Sequence, residues 1–314
     1  MIMKKSVMIY NPYSGKIKKK EMLQTFYDIL RKYDYELEIL YTSKKKDATE
    51  IVKNLSDDID LVISAGGDGT LNEVVSGNLQ RKNRLTLANL PMGTTNDVGN
   101  MYGYTRNYVK NLELLLQGVQ KNIDVCFIND TPFVYVACLG DYIDMAYNTP
   151  RNLKKKYGKI AYIMYGLKQL KHKINSYDIR YTIDNKIYEG NYSFFFITNA
   201  SRVAGVDDIY YDVKLDDKMF EVAFCHVKSK AEMMKMFLLL TNMDAKEVPG
   251  VTYYQTDNLE IEFLQPPKVS WCIDGEEYKS YRKKFSFRID KDTKMMLPKE
   301  NIVKLFQKEK EEKN

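Results

Sequence analysis

The sequence predicts an α/β protein of two domains: an N-terminal doubly wound α/β domain and a C-terminal, mainly antiparallel β-sandwich domain with helices. Three observations carry this. Short apolar runs alternate with amphipathic stretches up to about residue 126, and glycine-bearing polar turns follow several of those runs. Beyond residue 127 the texture shifts to Tyr, Phe, Val and Ile, in places alternating with polar residues. With 314 residues the chain is long enough for two ordinary domains. The first spans 1–126, with 292–314 a candidate to pack back on it; the second spans 127–291.

In order, Val7 to Tyr10 reads as a strand ending in Asn11-Pro12-Tyr13-Ser14-Gly15, followed by a basic helix from about Lys18 to Lys32 that turns Met22, Phe26, Ile29 and Leu30 inward. Leu37 to Tyr41 is the next strand, leading through Thr42-Ser43 to a helix over Ala48 to Leu55. Leu61, Val62 and Ile63 form a buried strand that stops at Gly66-Gly67-Asp68-Gly69-Thr70, and Leu71, Val74 and Val75 recur at helical spacing behind it. Leu85 to Leu90 leads into Pro91-Met92-Gly93-Thr94-Thr95-Asn96-Asp97. A helix over Tyr104 to Gly118 and a strand beginning at Asn122 complete this half. Such alternation gives a parallel sheet whose strand-end turns converge on one edge, where ligands gather.

In the second half Tyr177, Ile179, Tyr181 and Ile183 alternate with polar residues, and Asp184-Asn185 reads as a hairpin turn. Further strands are expected over Thr131 to Cys138, Asn191 to Thr198, Met219 to Val227, Asn258 to Phe263 and Phe285 to Ile289. Two helices interrupt them, one over Tyr157 to His172 and one carrying Met233, Met234, Phe237, Leu238 and Leu240.

The net charge of +6 and the pI near 8.8 favour an anionic partner. No helix-turn-helix, RNA-binding or zinc signature accompanies the charge, so nucleic acid is not expected. The apolar start is too short for a signal peptide's hydrophobic region and no run reaches membrane-spanning length. Cys126, Cys138, Cys225 and Cys272 lack metal-ligand spacing and read as buried free thiols.

The chemistry concentrates in the turns. Glycines bring bare N–H groups close to a ligand, and a helix start adds donors and a positive dipole end, a combination suited to phosphate. No Walker A string occurs, and Asn72 stands where a dinucleotide fingerprint needs glycine. Asp68 inside a phosphate cradle calls for a cation, which implies Mg²⁺. Asp97 supplies a second acid at the same edge; Asp124 is either a third or a solvated strand-edge residue. The stretch from Arg151 to Lys173 is a basic amphipathic helix, read as a sheet cover with solvated lysines and, alternatively, as a lip facing lipid.

Three motifs in register, Asn11-Pro12-x-Ser14-Gly15, Gly66-Gly67-Asp68-Gly69-Thr70-Leu71-Asn72-Glu73 and Gly93-Thr94-x-Asn96-Asp97, resemble the diacylglycerol kinase catalytic family, particularly its soluble bacterial members. The central motif alone is shared with NAD kinases. The resemblance extends through Lys214-Leu215-Asp216-Asp217, Phe220-Glu221-Val222 and Asp274-Gly275-Glu276. It implies a cytoplasmic, peripherally membrane-associated lipid kinase. ATP would lie between the domains, contacted by Asn11, Ser14, Gly15, Thr42, Gly66, Gly67, Asp68, Gly69, Thr70, Leu71, Asn72, Thr94 and Asn96. It further implies Glu276 as general base, Asp68 and Asp97 in the catalytic centre, and a structural Mg²⁺ near Lys214, Asp217 and Met219. Lys218 stands where the family usually has glycine. The expected reaction is phosphorylation of diacylglycerol to phosphatidic acid at an anionic membrane surface. Sphingoid bases, other glycerolipids or NAD as acceptors, a silent nucleotide-binding regulator, and a homodimer remain open at this stage.

Overall fold

The structure, a computed structural model, describes residues 3–14, 20–141, 174–203, 205–300 and 302–307. The sequence-expected basic helix over Tyr157 to His172, and Gly15, lie outside the described residues. The chain divides into two compact units, one comprising Met1–Val125, Lys214–Lys218 and Asp290–Asn314, the other Cys126–Val213 and Met219–Ile289.

In the first unit β1 (Lys4–Tyr10), α1 (Lys20–Lys32), β2 (Tyr35–Tyr41), α2 (Asp47–Lys53), β3 (Leu61–Gly66), α3 (Asp68–Leu79) and β4 (Leu87–Pro91) follow in sequence. The strands pair in parallel in the order β2-β1-β3-β4, with Val7 beside Val62 and Ile63 beside Ala88. All six residues of β3 are buried, as a central parallel strand covered on both faces requires. The helix expected over Tyr104 to Gly118 is shorter. Asp97–Met101 forms α4, and α5 (Tyr108–Leu116) starts only after the Asn107 side chain caps the Lys110 N–H. Tyr102 and Tyr104 lie buried between them, their phenols pushed up in pKa by burial.

β5 (Val119–Ile128) runs from the first unit into the second. There β6 (Thr131–Phe133), β7 (Val136–Gly140), β8 (Tyr177–Ile183), β9 (Lys186–Tyr192), β10 (Phe194–Thr198), β11 (Phe220–Cys225), α6 (Lys230–Leu240), β12 (Val251–Thr256), β13 (Asn258–Phe263), β14 (Trp271–Ile273) and β15 (Glu276–Tyr278) follow. β16 (Lys284–Leu297) then returns to the first unit and pairs there with β4. Two sheets face each other in this unit. The first half of β16 pairs with β13, β13 with β8, and β8 with β9; the other sheet runs β12-β11-β10-β7-β14-β15. Tyr181, Phe263, Phe285 and Phe287 on one sheet, with Phe195, Phe224 and Trp271 on the other, fill the sandwich core. The alternation of β8 is observed as read, and Asp184 and Asn185 both take positive φ in a tight hairpin.

α6 covers the outer face of the second sheet with Met233 and Met236, while Leu238 is half exposed rather than inward. The strands β12, β14 and β15, and the length of β16, exceed the sequence reading. The four cysteines are buried free thiols, as read.

Candidate active site

In the first unit the turns after β1, β3 and β4 come together. The Asn11 amide donates to Thr70 Oγ1 at 3.1 Å, joining the turn after β1 to the turn after β3, while its oxygen accepts the Tyr13 N–H at 3.0 Å within its own turn. The turns after β3 and β4 touch through their glycines. A Cβ on Gly93 would lie 2.6 Å from the Cα of Gly67, so side chains here would force the two turns apart. Asp68 makes the third tie: its carboxylate accepts the Asp97 N–H at 3.0 Å and the Val98 N–H at 3.2 Å. It therefore caps the first turn of α4 as well as sitting at the start of α3, where a negative charge suits the helix dipole.

Around this knot the candidates divide by what they can offer. Gly67, Asp68 and Gly69 open α3 with main-chain N–H groups, while the Thr70 and Leu71 N–H groups turn back onto the Gly67 carbonyl at 2.9 and 3.1 Å. Leu71 is a core side chain. Gly66, also buried, holds the Met92 N–H with its carbonyl. Asn96 spends its amide on the turn, accepting from Gly93 N–H at 2.8 Å and donating to Gly93 carbonyl at 3.0 Å. Thr94 is exposed, Ser14 and Asn72 are half-buried, and Asp97 is buried. Thr42 sits at the end of β2 with its N–H donated to the Tyr10 carbonyl at 3.0 Å. This is an edge of main-chain donors, hydroxyls and one capping carboxylate, which suits a polyphosphate.

Asp124 belongs to a different feature. Its N–H donates to the Leu215 carbonyl at 2.7 Å, and its carboxylate accepts the Lys218 N–H at 2.6 Å. The returning segment 214–218 is thus stitched to β5, with Lys218 at φ 66°, the left-handed backbone that glycine would adopt more easily. Lys214 and Asp217 lie in this segment, and Met219 is the first residue beyond it, in the second unit. Among the described residues no group of three or more His, Cys, Asp or Glu side chains forms a metal cluster.

In the second unit Asp274-Gly275 is the turn between β14 and β15, both residues at positive φ. Asp274 is buried, and its carboxylate accepts the N–H groups of Val134, Tyr135 and Val136 at 2.6, 3.0 and 3.0 Å. Its own N–H donates to the Val136 carbonyl, so the turn is locked to the strand beside it. Glu276, exposed, opens β15 two residues later. The family resemblance singles out Glu276, whereas Asp274 reads from sequence only as part of a turn, because the N–H groups it accepts lie far away in the chain. Glu221 enters the sequence reading only as part of the Phe220-Glu221-Val222 motif, with no role of its own. It is buried opposite Thr198 on the same sheet, and burial first, then Glu221, raises the pKa of the Tyr210 phenol.

The sequence profile of the diacylglycerol kinase catalytic domain matches residues 5–128. Over 274 residues, 87% of this chain and 86% of the relative, the sequence is 31% identical to a diacylglycerol kinase of Staphylococcus aureus. The chain belongs to the diacylglycerol kinase family. A diacylglycerol kinase of Staphylococcus saprophyticus is 30% identical over 87% of this chain and 89% of its own length. In fold, a crystal structure of a diacylglycerol kinase from Bacillus anthracis aligns with a TM-score of 0.76 at 22% identity, covering 95% of this chain and 98% of that one. The chain is thus a lipid kinase by family, and its mixed architecture of a parallel sheet and a separate antiparallel sheet is the family's. Among the described residues no helix is long and apolar enough to cross a membrane.

Proposed function

We propose that this lipid kinase transfers the γ-phosphoryl group of Mg²⁺-ATP to the free hydroxyl of diacylglycerol, giving phosphatidic acid at the surface of an anionic membrane. The observation that carries the reading is the convergence of three turns in the first unit, fixed by Asn11 on Thr70, Gly67 against Gly93, and Asp68 on the start of α4. Phosphoryl transfer asks for positioning and charge neutralisation, which main-chain donors and hydroxyls on such an edge supply.

The residues fit a hard cation held mainly by phosphate oxygens: oxygen donors from Asp68, Thr70 and Asn72 are at hand on this edge. Mg²⁺, when bound, would neutralise phosphate charge. Asp68 would then serve both the cap of α4 and the charge balance of the cradle. Glu276, exposed and carried on a turn that Asp274 anchors, would accept the proton of the lipid hydroxyl. The net charge of +6 supports attraction to an anionic surface.

The test is radiolabelled phosphate transfer from Mg²⁺-ATP by purified protein to diacylglycerol in anionic mixed micelles, with sphingosine and NAD alongside. Label in phosphatidic acid that is lost in Glu276→Gln supports the reading. Label only in sphingosine 1-phosphate or NADP reassigns the acceptor. Co-sedimentation with phosphatidylglycerol vesicles, but not with phosphatidylcholine vesicles, tests the peripheral membrane contact.

A further inference from the structure

α2 has seven residues, too short to hold itself in water, and its N-cap position, Lys46, provides no side-chain cap. The residues following α3's glycine turn hold it at both ends. At its start, Glu73 of α3 accepts the Lys46 N–H on Oε1 at 2.8 Å and the Ala48 N–H on Oε2 at 3.3 Å, while its main-chain carbonyl accepts the Thr49 hydroxyl at 3.0 Å. At its end, Arg81 donates to the Val52 and Leu55 carbonyls at 3.0 and 2.6 Å. Between these clasps Gly77 lets the helices close, since a Cβ there would lie 2.5 Å from the Thr49 carbonyl oxygen.

The two clasps are not equivalent for the site. Glu73 lies three residues after Thr70, on the helix that begins in the phosphate cradle, and it grips the end of the loop that starts at Thr42. Asp47, the first residue of α2, gathers the Ser43 and Lys44 N–H groups and the Ser43 hydroxyl of that loop, which lowers the Asp47 pKa. Lys46 takes φ 70° just where Glu73 receives its N–H. The loop is therefore a compact turn whose orientation is referred back to α3 through one carboxylate.

We infer that Glu73 is a positioning residue for the nucleotide: it holds the Thr42–Lys46 loop in register with the α3 cradle, so that Thr42 and the glycine turn meet one ligand together. This rests on the nucleotide-binding reading above and deepens it. Glu73 need not touch the nucleotide. Its carboxylate is spent on main-chain donors with charge-assisted bonds, each stronger than a neutral one.

The experiment is a double-mutant cycle on the full chain with Thr42→Ala and Glu73→Gln, read by calorimetric binding of a non-hydrolysable ATP analogue with Mg²⁺, and by KM for ATP and for diacylglycerol. Arg81→Ala, which frees the other end of the same helix, serves as the stability control. Glu73→Gln is expected to weaken nucleotide binding about tenfold, the size of one lost charge-assisted bond. It is expected to leave the KM for lipid within about twofold and, in the Thr42→Ala background, to add less than about twofold. Arg81→Ala is expected to lower the melting temperature without that loss of affinity. Independent, multiplicative losses in the cycle overturn the inference, as does an equal affinity loss in Arg81→Ala. A wild-type protein that binds no nucleotide overturns the functional reading together with it, whereas nucleotide binding with a multiplicative cycle overturns this inference alone.

Discussion

Asp274→Asn should separate the anchoring of the Glu276 turn from the proton-accepting role proposed for Glu276. The wild-type carboxylate is buried and receives three main-chain N–H groups, Val134 on Oδ2 at 2.6 Å, and Tyr135 and Val136 on Oδ1 at 3.0 Å each. An amide keeps one acceptor. With its oxygen toward Tyr135 and Val136, its NH₂ faces the Val134 N–H, donor against donor; the flipped amide strands the other two. One buried N–H left unpaired costs about 1–3 kcal/mol, and loss of charge assistance on the remaining bonds adds about 1–2 kcal/mol. For a unit of this size each kcal/mol moves the melting temperature by about 2–4 °C. The expected fall is therefore about 5–15 °C, measured by circular dichroism or calorimetry at neutral pH. Glu276→Gln, two residues away and exposed, should lose most turnover while melting within about 2 °C of wild type. An Asp274→Asn protein that melts like wild type would refute the anchoring argument.

Asp68→Ala removes the acceptor for two N–H groups of α4 and should cost about 1–3 kcal/mol of stability in addition to activity, whereas Asp68→Asn should retain part of the cap; an unchanged melting temperature in the alanine variant would end the capping role. Lys218→Gly relieves a left-handed residue worth about 1 kcal/mol, partly offset by glycine's entropy, so its melting temperature should rise by about 1–3 °C, and a fall would contradict the strain. Burial pushes the Cys225 thiol from its ordinary 9.0 up to about 12. An acid raised in the folded state holds stability below its unfolded pKa and loses it as pH climbs through the window from about 9 to about 12; Cys225→Ala should flatten the alkaline fall in melting temperature, and an unchanged slope would show that the thiol plays no part. Chelation with EDTA should lower the melting temperature of the first unit by no more than about 3 °C, roughly 1 kcal/mol; collapse on chelation would mean that a metal, and not hydrogen bonds, holds segment 214–218.

Local pattern made much of the fold legible. The buried run before Gly66, the period of β8 and the Asp184-Asn185 turn each depend on residues close in sequence, and the structure has them where periodicity and turn chemistry put them. What escaped depends on distant partners. Asp274 reads as half of an ordinary turn because its three donors lie about 140 residues earlier, and Glu73 reads as a polar helix position because its partners belong to another helix. The apolar side at Leu112, Leu115 and Leu116 predicts a helix, but the Asn107 cap and the Thr105 contacts with Asn111 start it after Tyr104. β12 is not legible in the sequence because Val251-Thr252-Tyr253-Tyr254 shows no clean alternation; both of its faces are half-buried in the pairing with β11.

The segment 214–218 shows how a departure from a family pattern can be absorbed. Glycine at position 218 would take positive φ without strain; lysine takes it at a cost, and the fold must supply an offset. It does so with protein groups. Lys218 donates to Asp124 and Asp124 donates to Leu215, while Leu215 donates to the Leu305 carbonyl at 2.7 Å and the Gln307 N–H reaches Asp216 at 2.8 Å. These bonds come from β5 on one side and the chain end on the other, so the turn is determined twice over by its own unit. A bond between an N–H and a carboxylate is worth more than a neutral one, about 1.5–3 kcal/mol, which matches or exceeds the strain of one left-handed residue. The backbone conformation at Lys218 therefore needs no cation to explain it, and any metal bound through Asp217 would add to a segment whose path is already fixed.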